Sequence, residues 1–151
     1  MRRTLVALVA GIVIGLFASA PGQPAAAVMG STALSWEEIQ AKPSGTGITK
    51  AKQVFRDPTA TLDELEFHVS TLPVGQSPHP PHKHPDEEII VIKEGTVEAL
   101  VNGESKRVGP GSVIFQAANQ MHTVRNVGDV PAVYHVMRWN SPGMLKARPT
   151  N

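Results

Sequence analysis

The sequence contains no cysteine and no dense cluster of basic residues. The absence of cysteine excludes disulfides, a thiolate zinc site, a thiol nucleophile and a lipidated cysteine anchor, so any metal must bind to nitrogen and oxygen atoms. The 14 Lys and Arg residues nearly balance the 13 Asp and Glu residues, which gives a formal net charge of +1. The sequence therefore gives no indication of a basic surface that would bind nucleic acid. A chain of 151 residues accommodates one compact domain at most.

The first 27 residues have the pattern of a secretory signal peptide. Arg2 and Arg3 precede an uncharged apolar run from Leu5 to Phe17, and small residues follow it. The run is short for a membrane span, although a membrane anchor or a buried helix is the alternative. Cleavage after Ala27 is favoured over cleavage after Ala20, which would leave a proline at the new N terminus. We therefore expect an exported protein, periplasmic or secreted, with a net charge of −1 and no membrane contact after cleavage. The sequence does not decide between Sec and twin-arginine export.

The remaining sequence predicts a helix followed by strands. Ser35 and Glu38 form a capping box, which predicts a short helix that ends before Pro43 and is followed by a loop. From Ile48 onward, segments of five to nine residues rich in Val, Ile, Thr and Phe alternate with Gly, Pro, Asn and Asp. The predicted organisation is a signal peptide at 1–27, a helix and linker at 28–47, a β-barrel domain at 48–140 and a tail at 141–151.

Strand positions follow from alternation and from turn residues. The pair Asn102-Gly103 tolerates positive φ at both positions, as a type I′ hairpin turn requires. Seven or eight strands with one helix at the start indicate a β-sandwich or a small barrel. The clearest strands are predicted at 65–69, 87–93, 96–101, 104–108, 112–116, 122–126 and 132–139.

A cluster of histidines and carboxylates is the most informative feature of the sequence. In an extended segment His82 and His84 project from the same face, so their imidazoles can converge on one ion. Glu88 shares a strand face with Ile90, where an uncompensated carboxylate would be costly unless a cation paired with it. His122 begins another strand and could supply a third imidazole.

These residues resemble the two sequence motifs of the cupin superfamily. A glycine, a His-x-His pair, a glutamate and a second glycine resemble the first motif, at Gly75, His82, His84, Glu88 and Gly95. A glycine, a histidine and an asparagine resemble the second motif, at Gly111, His122 and Asn126. Ala117 and Asn119 replace the proline and glycine usual in the second motif, but asparagine tolerates a left-handed backbone, which favours retention of the turn. The resemblance covers about Ile48 to Trp139.

The resemblance to type-2 cupins implies an all-β fold, a conical double-stranded β-helix or jelly-roll barrel, with one metal ion at its centre. It implies that His82, His84, Glu88 and His122 bind the ion. Three imidazoles and a carboxylate suit Fe, Mn, Ni, Cu, Co or Zn as a divalent ion, and they disfavour Ca²⁺ and Mg²⁺. Because dimers are frequent among cupins, the resemblance also suggests a homodimer.

Other polar residues near the cluster have simpler interpretations. His79 lies between two prolines and is expected in a solvated loop, and Glu87 alternates away from the Glu88 face. Asp86 is interpreted as a turn or cap residue before its strand. His68 and His135 each lie within a strand, where a structural hydrogen bond is the usual role, although one of them could line the cavity.

The predicted cavity is mostly apolar, since Ile90, Ile92 and Val124 share faces with the ligands, and Phe115, Met121 and Met137 are expected as neighbours. Lys93 and Arg125 alternate to the opposite face, which favours a small neutral or aromatic substrate over a phosphorylated one. The resemblance and the redox-capable ligands favour a metal-dependent oxygenase or dioxygenase, in which Glu88 also moves a proton. A non-redox isomerase or lyase, or a protein that only binds a small molecule or the metal, is the alternative.

Overall fold

The computed structural model describes residues 27–39, 41–44 and 47–144, with side chains from 27 to 39 and from 47 to 144. Within these ranges the chain forms nine strands: β1 (Ala41–Ser44), β2 (Thr49–Asp57), β3 (Glu64–Leu72), β4 (Glu87–Glu94), β5 (Val97–Val101), β6 (Glu104–Val108), β7 (Val113–Gln116), β8 (Thr123–Asn126) and β9 (Ala132–Asn140). Neighbouring strands are antiparallel throughout. The predicted all-β fold class is confirmed.

The strands form two sheets that enclose one hydrophobic core. The larger sheet has the order β1-β2-β3-β9-β4-β7, and the smaller sheet has the order β6-β5-β8. The core cluster contains Ile90, Ile92 and Tyr134 from the larger sheet together with Val97 and Ala99 from the smaller one. Because side chains of a strand alternate between faces, each sheet contributes every second residue to this core. The two layers form the jelly-roll expected from the sequence.

The turn at Asn102 and Gly103 joins β5 to β6 as predicted. The φ angles of Asn102 and Gly103 are 54° and 81°, and a type I′ turn requires positive values at both positions. The register pairs Val101 with Glu104 directly across the turn. The hairpin prediction is confirmed.

The segment around Ser35 forms a turn rather than the predicted helix. The backbone N–H of Ser35 donates to Oε2 of Glu38 at 2.6 Å, and the N–H of Glu38 donates to Oγ of Ser35 at 3.4 Å. These are the reciprocal bonds of a capping box, but they enclose only a turn at 36–38. The chain enters β1 at Ala41, which leaves too few residues to propagate a helix beyond its costly first turn. The prediction of an N-terminal helix is wrong.

Pro43, which was expected to begin a loop, lies inside β1. Among the described strands this one pairs only with β2, and it forms the edge of the larger sheet. An edge strand tolerates proline because a missing N–H on its outer side breaks no ladder hydrogen bond. The loop prediction failed because turn-forming residues do not distinguish a loop from a proline-containing edge strand.

The two ends of the chain are described only in part. The predicted signal peptide lies outside the described residues except for residue 27, as do residues 145–151 of the predicted tail. After β9, the N–H of Gly143 donates to Oδ2 of Asp63 at 2.7 Å, which connects the chain to the residue that precedes β3. Over the described ranges, no helix has the length and apolar character to cross a membrane.

Replacing Gly95 by alanine should destabilise the fold. Gly95 has a φ of 78°, and a Cβ atom there would lie 2.8 Å from the Cα of Ala132 and 3.0 Å from the carbonyl oxygen of Pro131. Gly103 has a similar φ of 81° with no atom within 4 Å of the added Cβ, so Gly103→Ala is the matched control for backbone strain. We expect Gly95→Ala to lower the free energy of unfolding by roughly 2 kcal/mol more than Gly103→Ala does. Urea denaturation measures both, and equal losses would show that the contact with β9 is unimportant.

Candidate metal centre

Three histidines from two separate segments meet at one end of the core. His82 and His122 form an isolated antiparallel bridge, with backbone N–H to carbonyl distances of 3.1 and 2.9 Å. His84 follows two residues after His82, and the ring centroids are 4.6 Å apart for His82 and His122, 4.7 Å for His84 and His122, and 5.3 Å for His82 and His84. One ring nitrogen from each lies within 4.8 Å of the others. We call these three residues the imidazole cluster.

Backbone hydrogen bonds orient two of these rings. Nδ1 of His84 donates to the carbonyl oxygen of Asp86, and Nδ1 of His122 donates to that of Gln120, each at 2.9 Å. Because a carbonyl only accepts, the proton lies on Nδ1 and the Nε2 atom keeps its lone pair. Among the described residues no hydrogen-bond partner exists for these buried Nε2 atoms or for Nδ1 of His82. Buried nitrogens without partners fit a metal ion, because an ion would take their lone pairs.

The imidazole cluster is neutral at physiological pH. Burial lowers the pKa of each ring, and for His82 burial together with the neighbouring His79 and His122 rings brings the pKa to about 4. Neutral imidazole is the form that binds metal. The lowered pKa values therefore keep protons from competing for these nitrogens near pH 7.

A turn from the second motif supports His84. Asn119 has a φ of 61°, so the left-handed turn expected at this position is confirmed. Its backbone N–H donates to the carbonyl oxygen of His84 at 2.7 Å. The segment that leads to His122 and β8 is thereby connected to the segment that carries His84.

Asn126 has a structural position rather than one in the imidazole cluster. Its buried side chain donates to the carbonyl oxygens of Leu72 and Val130, each at 2.9 Å, and accepts from the N–H of Gly128 at 3.0 Å. Every polar atom of the side-chain amide therefore has a partner. The asparagine of the second motif joins the ends of β3 and β8 to the loop before β9.

Glu88 lies beside the imidazole cluster on β4. Glu88 is 9% exposed, and its Oε2 atom is 3.8 Å from Nε2 of His84 and 3.7 Å from Nε of Arg138. Burial raises the pKa of Glu88 to about 7, although the nearby Arg138 opposes the increase. A buried carboxyl that is half ionised near neutral pH can bind a cation or exchange a proton.

The sequence interpretation missed the ion pair between Asp86 and Arg138. Asp86 does precede β4, but its carboxylate is buried and accepts from Nε of Arg138 at 2.7 Å and from Nη2. Arg138 lies directly opposite Glu66 on β3 and Glu88 on β4. The alternation of Tyr134, Val136 and Arg138 in β9 was a signal that this guanidinium faces inward.

A cavity of about 170 Å³ opens beside the imidazole cluster. We call it the main cavity because it adjoins the proposed ligands. Ile90 and Val124 line it as expected, whereas Ile92 lies in the core and Met137 is not part of the lining. Phe115 and Met121 are 51% and 48% exposed and do not contact the cavity, because their positions on β7 and before β8 alternate outward. The lining is more polar than expected, with His68, Ser70, Gln116, Tyr134 and Arg138 among its members.

The remaining sequence candidates separate into two places. His68 lines this main cavity, and His79 is exposed at its edge with its ring 4.0 Å from that of His82. His135 instead lines a separate apolar cavity of about 260 Å³ beside Trp36 and Phe67. Lys93 and Arg125 are exposed and outside the main cavity, as expected.

Several solved structures share the fold of this chain at low sequence identity. An RmlC-like cupin from Shewanella frigidimarina aligns with a TM-score of 0.62 and 14% identity over 75% of this chain and 94% of its own. A protein described as a predicted oxalate decarboxylase from Thermotoga maritima aligns with a TM-score of 0.61 and 19% identity over 72% of this chain and 99% of its own. The polyketide cyclase RemF from Streptomyces resistomycificus gives 0.59 and 18% over 74% and 82%.

One curated relative is more similar in sequence over a shorter length. The dimethylsulfoniopropionate lyase DddQ of Ruegeria pomeroyi is 38% identical over 64 residues, which cover 42% of this chain and 31% of the lyase. The match thus spans about a third of that protein. The cupin domain family model matches residues 68–138, a range that contains the whole imidazole cluster, Glu88 and Arg138. Residues 68–138 therefore form a cupin domain, and the described part of the chain has the jelly-roll fold of the cupin structures named above.

Proposed function

We propose that this protein is a metal-dependent lyase that acts on a small carboxylate-bearing molecule. The observation that carries the proposal is the imidazole cluster, in which each histidine has one buried ring nitrogen without a hydrogen-bond partner among the described residues, beside a cavity. The partial similarity to the dimethylsulfoniopropionate lyase supports lyase chemistry over the oxygenase chemistry expected from the sequence.

The donor set limits the metal to a transition ion. We propose that His82, His84 and His122 supply three nitrogens and that Glu88 supplies an oxygen, as the sequence predicts. Such a mixed set favours Fe, Mn, Ni, Cu, Co or Zn over the oxygen-preferring Ca²⁺ and Mg²⁺. A bound divalent ion would act as a Lewis acid that polarises a carboxylate or carbonyl oxygen of the substrate.

The protein groups at the site divide the remaining tasks. Elimination from a carboxylate that carries a sulfonium group two carbons away removes the proton next to the carboxylate. The C–S electron pair then leaves with dimethyl sulfide, and acrylate remains. Burial raises the pKa of Tyr134 well above its usual range, so its hydroxyl stays protonated. Glu88 is a buried carboxylate that lines the cavity, and we propose it as the proton acceptor.

We expect metal-loaded protein to release dimethyl sulfide from dimethylsulfoniopropionate at equal rates under air and under argon. Lewis-acid elimination consumes no O₂, whereas oxygenase chemistry requires it. Gas chromatography of the headspace measures the product, and protein treated with a chelator is the control. Uptake of O₂ coupled to substrate loss would restore the oxygenase expectation. A loaded protein that eliminates no leaving group from this or any other β-substituted small carboxylate would overturn the lyase proposal.

We further propose that the protein is exported and that residues 1–27 are removed. The apolar run with two preceding arginines supports this proposal. Expression of the full chain in a secreting bacterium should yield a periplasmic or extracellular product. The mass of this product should be that of a chain that begins at Val28. Val13→Arg, which places a charge in the apolar run, should keep the protein in the cytoplasm. A cytoplasmic product of full mass from the unchanged chain would contradict export.

A further inference from the structure

Gln116 is a buried polar residue that the proposed chemistry does not use. It is the last residue of β7, and it is 2% exposed. Its strand neighbours Val113 and Phe115 face outward, while Ile114 and Gln116 face inward. Gln116 lines the main cavity and pairs in register with Glu88 on β4. Its side chain is therefore in the wall that also carries the proposed fourth ligand.

The side-chain amide of Gln116 has an unused donor. Nε2 is buried and has no hydrogen-bond partner among the described residues. Two other polar side chains of the wall have partners: His68 contacts Glu66 at 3.1 Å, and Arg138 donates to Asp86 at 2.7 Å. An amide nitrogen only donates, so the missing partner must present an acceptor atom. Because a buried donor without a partner is costly, the wall is complementary to an oxygen atom that arrives with a ligand.

The position of Gln116 relative to the imidazole cluster favours a ligand with two acceptor atoms. Gln116, His82 and His122 line the same cavity of about 170 Å³, so one small ligand can face both Nε2 of Gln116 and the imidazole cluster. A carboxylate carries two acceptor oxygens, one for each side.

We propose that Gln116 is a substrate-recognition residue whose Nε2–H donates to a carboxylate oxygen of a small monocarboxylate in the main cavity. This inference rests on the proposed function, because the second oxygen of the carboxylate is expected to face the metal. Gln116 determines specificity by rejecting ligands that lack an acceptor at this position, since such ligands leave its amide without a partner.

The test uses the full chain loaded with Co²⁺, whose visible absorption responds to a new ligand, and propanoate as the probe. Propanoate has the carboxylate and no leaving group. Wild-type protein should bind propanoate with a change in the cobalt bands. Gln116→Met, which keeps the size but removes the donor, should bind propanoate at least tenfold more weakly while its cobalt content is unchanged. Gln116→Glu, which retains the shape and adds a negative charge, should weaken binding further.

Gln76→Met is the matched control, because it makes the same change at an exposed side chain, and its propanoate affinity should equal that of wild type. Equal affinity in wild type, Gln116→Met and Gln116→Glu would overturn the inference on Gln116 and leave the metal site intact. If Gln116→Met does not fold, Gln116→Glu alone decides between these results. Failure of the wild-type protein to bind Co²⁺ would instead overturn the proposed function. Wild-type protein that binds Co²⁺ but not propanoate would overturn only the monocarboxylate assignment.

Discussion

Replacement of His84 by alanine should reduce the affinity for a divalent transition metal by more than about 100-fold, since loss of only an outer hydrogen-bond partner of a ligand already costs 10–100-fold. His84 contributes a buried Nε2 without a hydrogen-bond partner among the described residues, and its Nδ1 donates to the Asp86 carbonyl. Alanine removes this nitrogen and leaves two imidazoles and one carboxylate. Competition titration with a metal-sensitive dye, together with elemental analysis of the purified protein, measures the loss.

His135→Ala is the matched control for this change. His135 also lies in the larger sheet, but it lines the separate apolar cavity beside Trp36. Its replacement should leave one ion bound per chain with wild-type affinity. Equal metal content in wild type and His84→Ala would refute the ligand assignment, whatever the activity of either protein.

Replacement of Glu88 by glutamine should change how the stability of the metal-free protein depends on pH. Burial raises the pKa of Glu88 from 4.5 to about 7. Between these values the folded protein binds more protons than the unfolded chain, so the free energy of unfolding falls as pH rises through this range. Glu88→Gln lacks this contribution. From pH 4.5 to pH 8 the variant should therefore gain about 3 kcal/mol of stability relative to wild type.

Urea denaturation of chelator-treated protein at several pH values measures this difference. The histidines titrate in both proteins, so the difference between them isolates Glu88. Glu87→Gln, at the preceding position on the opposite face of β4, is the control and should follow the wild-type profile. A constant gap between wild type and Glu88→Gln across the whole range would mean that the carboxyl is not held in its protonated form by burial.

Local patterns in the sequence were sufficient for much of the fold. The strand that begins at Glu87, the turn at Asn102 and Gly103, and the left-handed Asn119 each depend on alternation or on backbone preferences of nearby residues. The helix expected after Ser35 failed for a related reason. A capping box stabilises the start of a helix, but the pairing of β1 with β2, which depends on residues elsewhere, decides the course of the chain.

The candidate site was predictable where its residues are close in sequence or belong to a motif. His82 and His84 are two residues apart, and the resemblance to the second motif added His122. Asp86 and Arg138 were not recognised together, because no local pattern joins residues that meet only when β9 pairs with β4. The outward direction of Phe115 and the inward direction of Gln116 likewise depend on the register of β7, and a shift of one residue would exchange them.

The backbone bridge between His82 and His122 has a consequence for how the protein acquires its ion. Reciprocal main-chain hydrogen bonds hold these two residues together independently of any imidazole contact. A flexible metalloprotein loses conformational entropy when it binds its ion. In this protein the entropy of these two residues is lost during folding instead. The chain should reach its folded shape first and capture an ion afterwards, so that the ion supply of its compartment, rather than the act of folding, determines which element it carries.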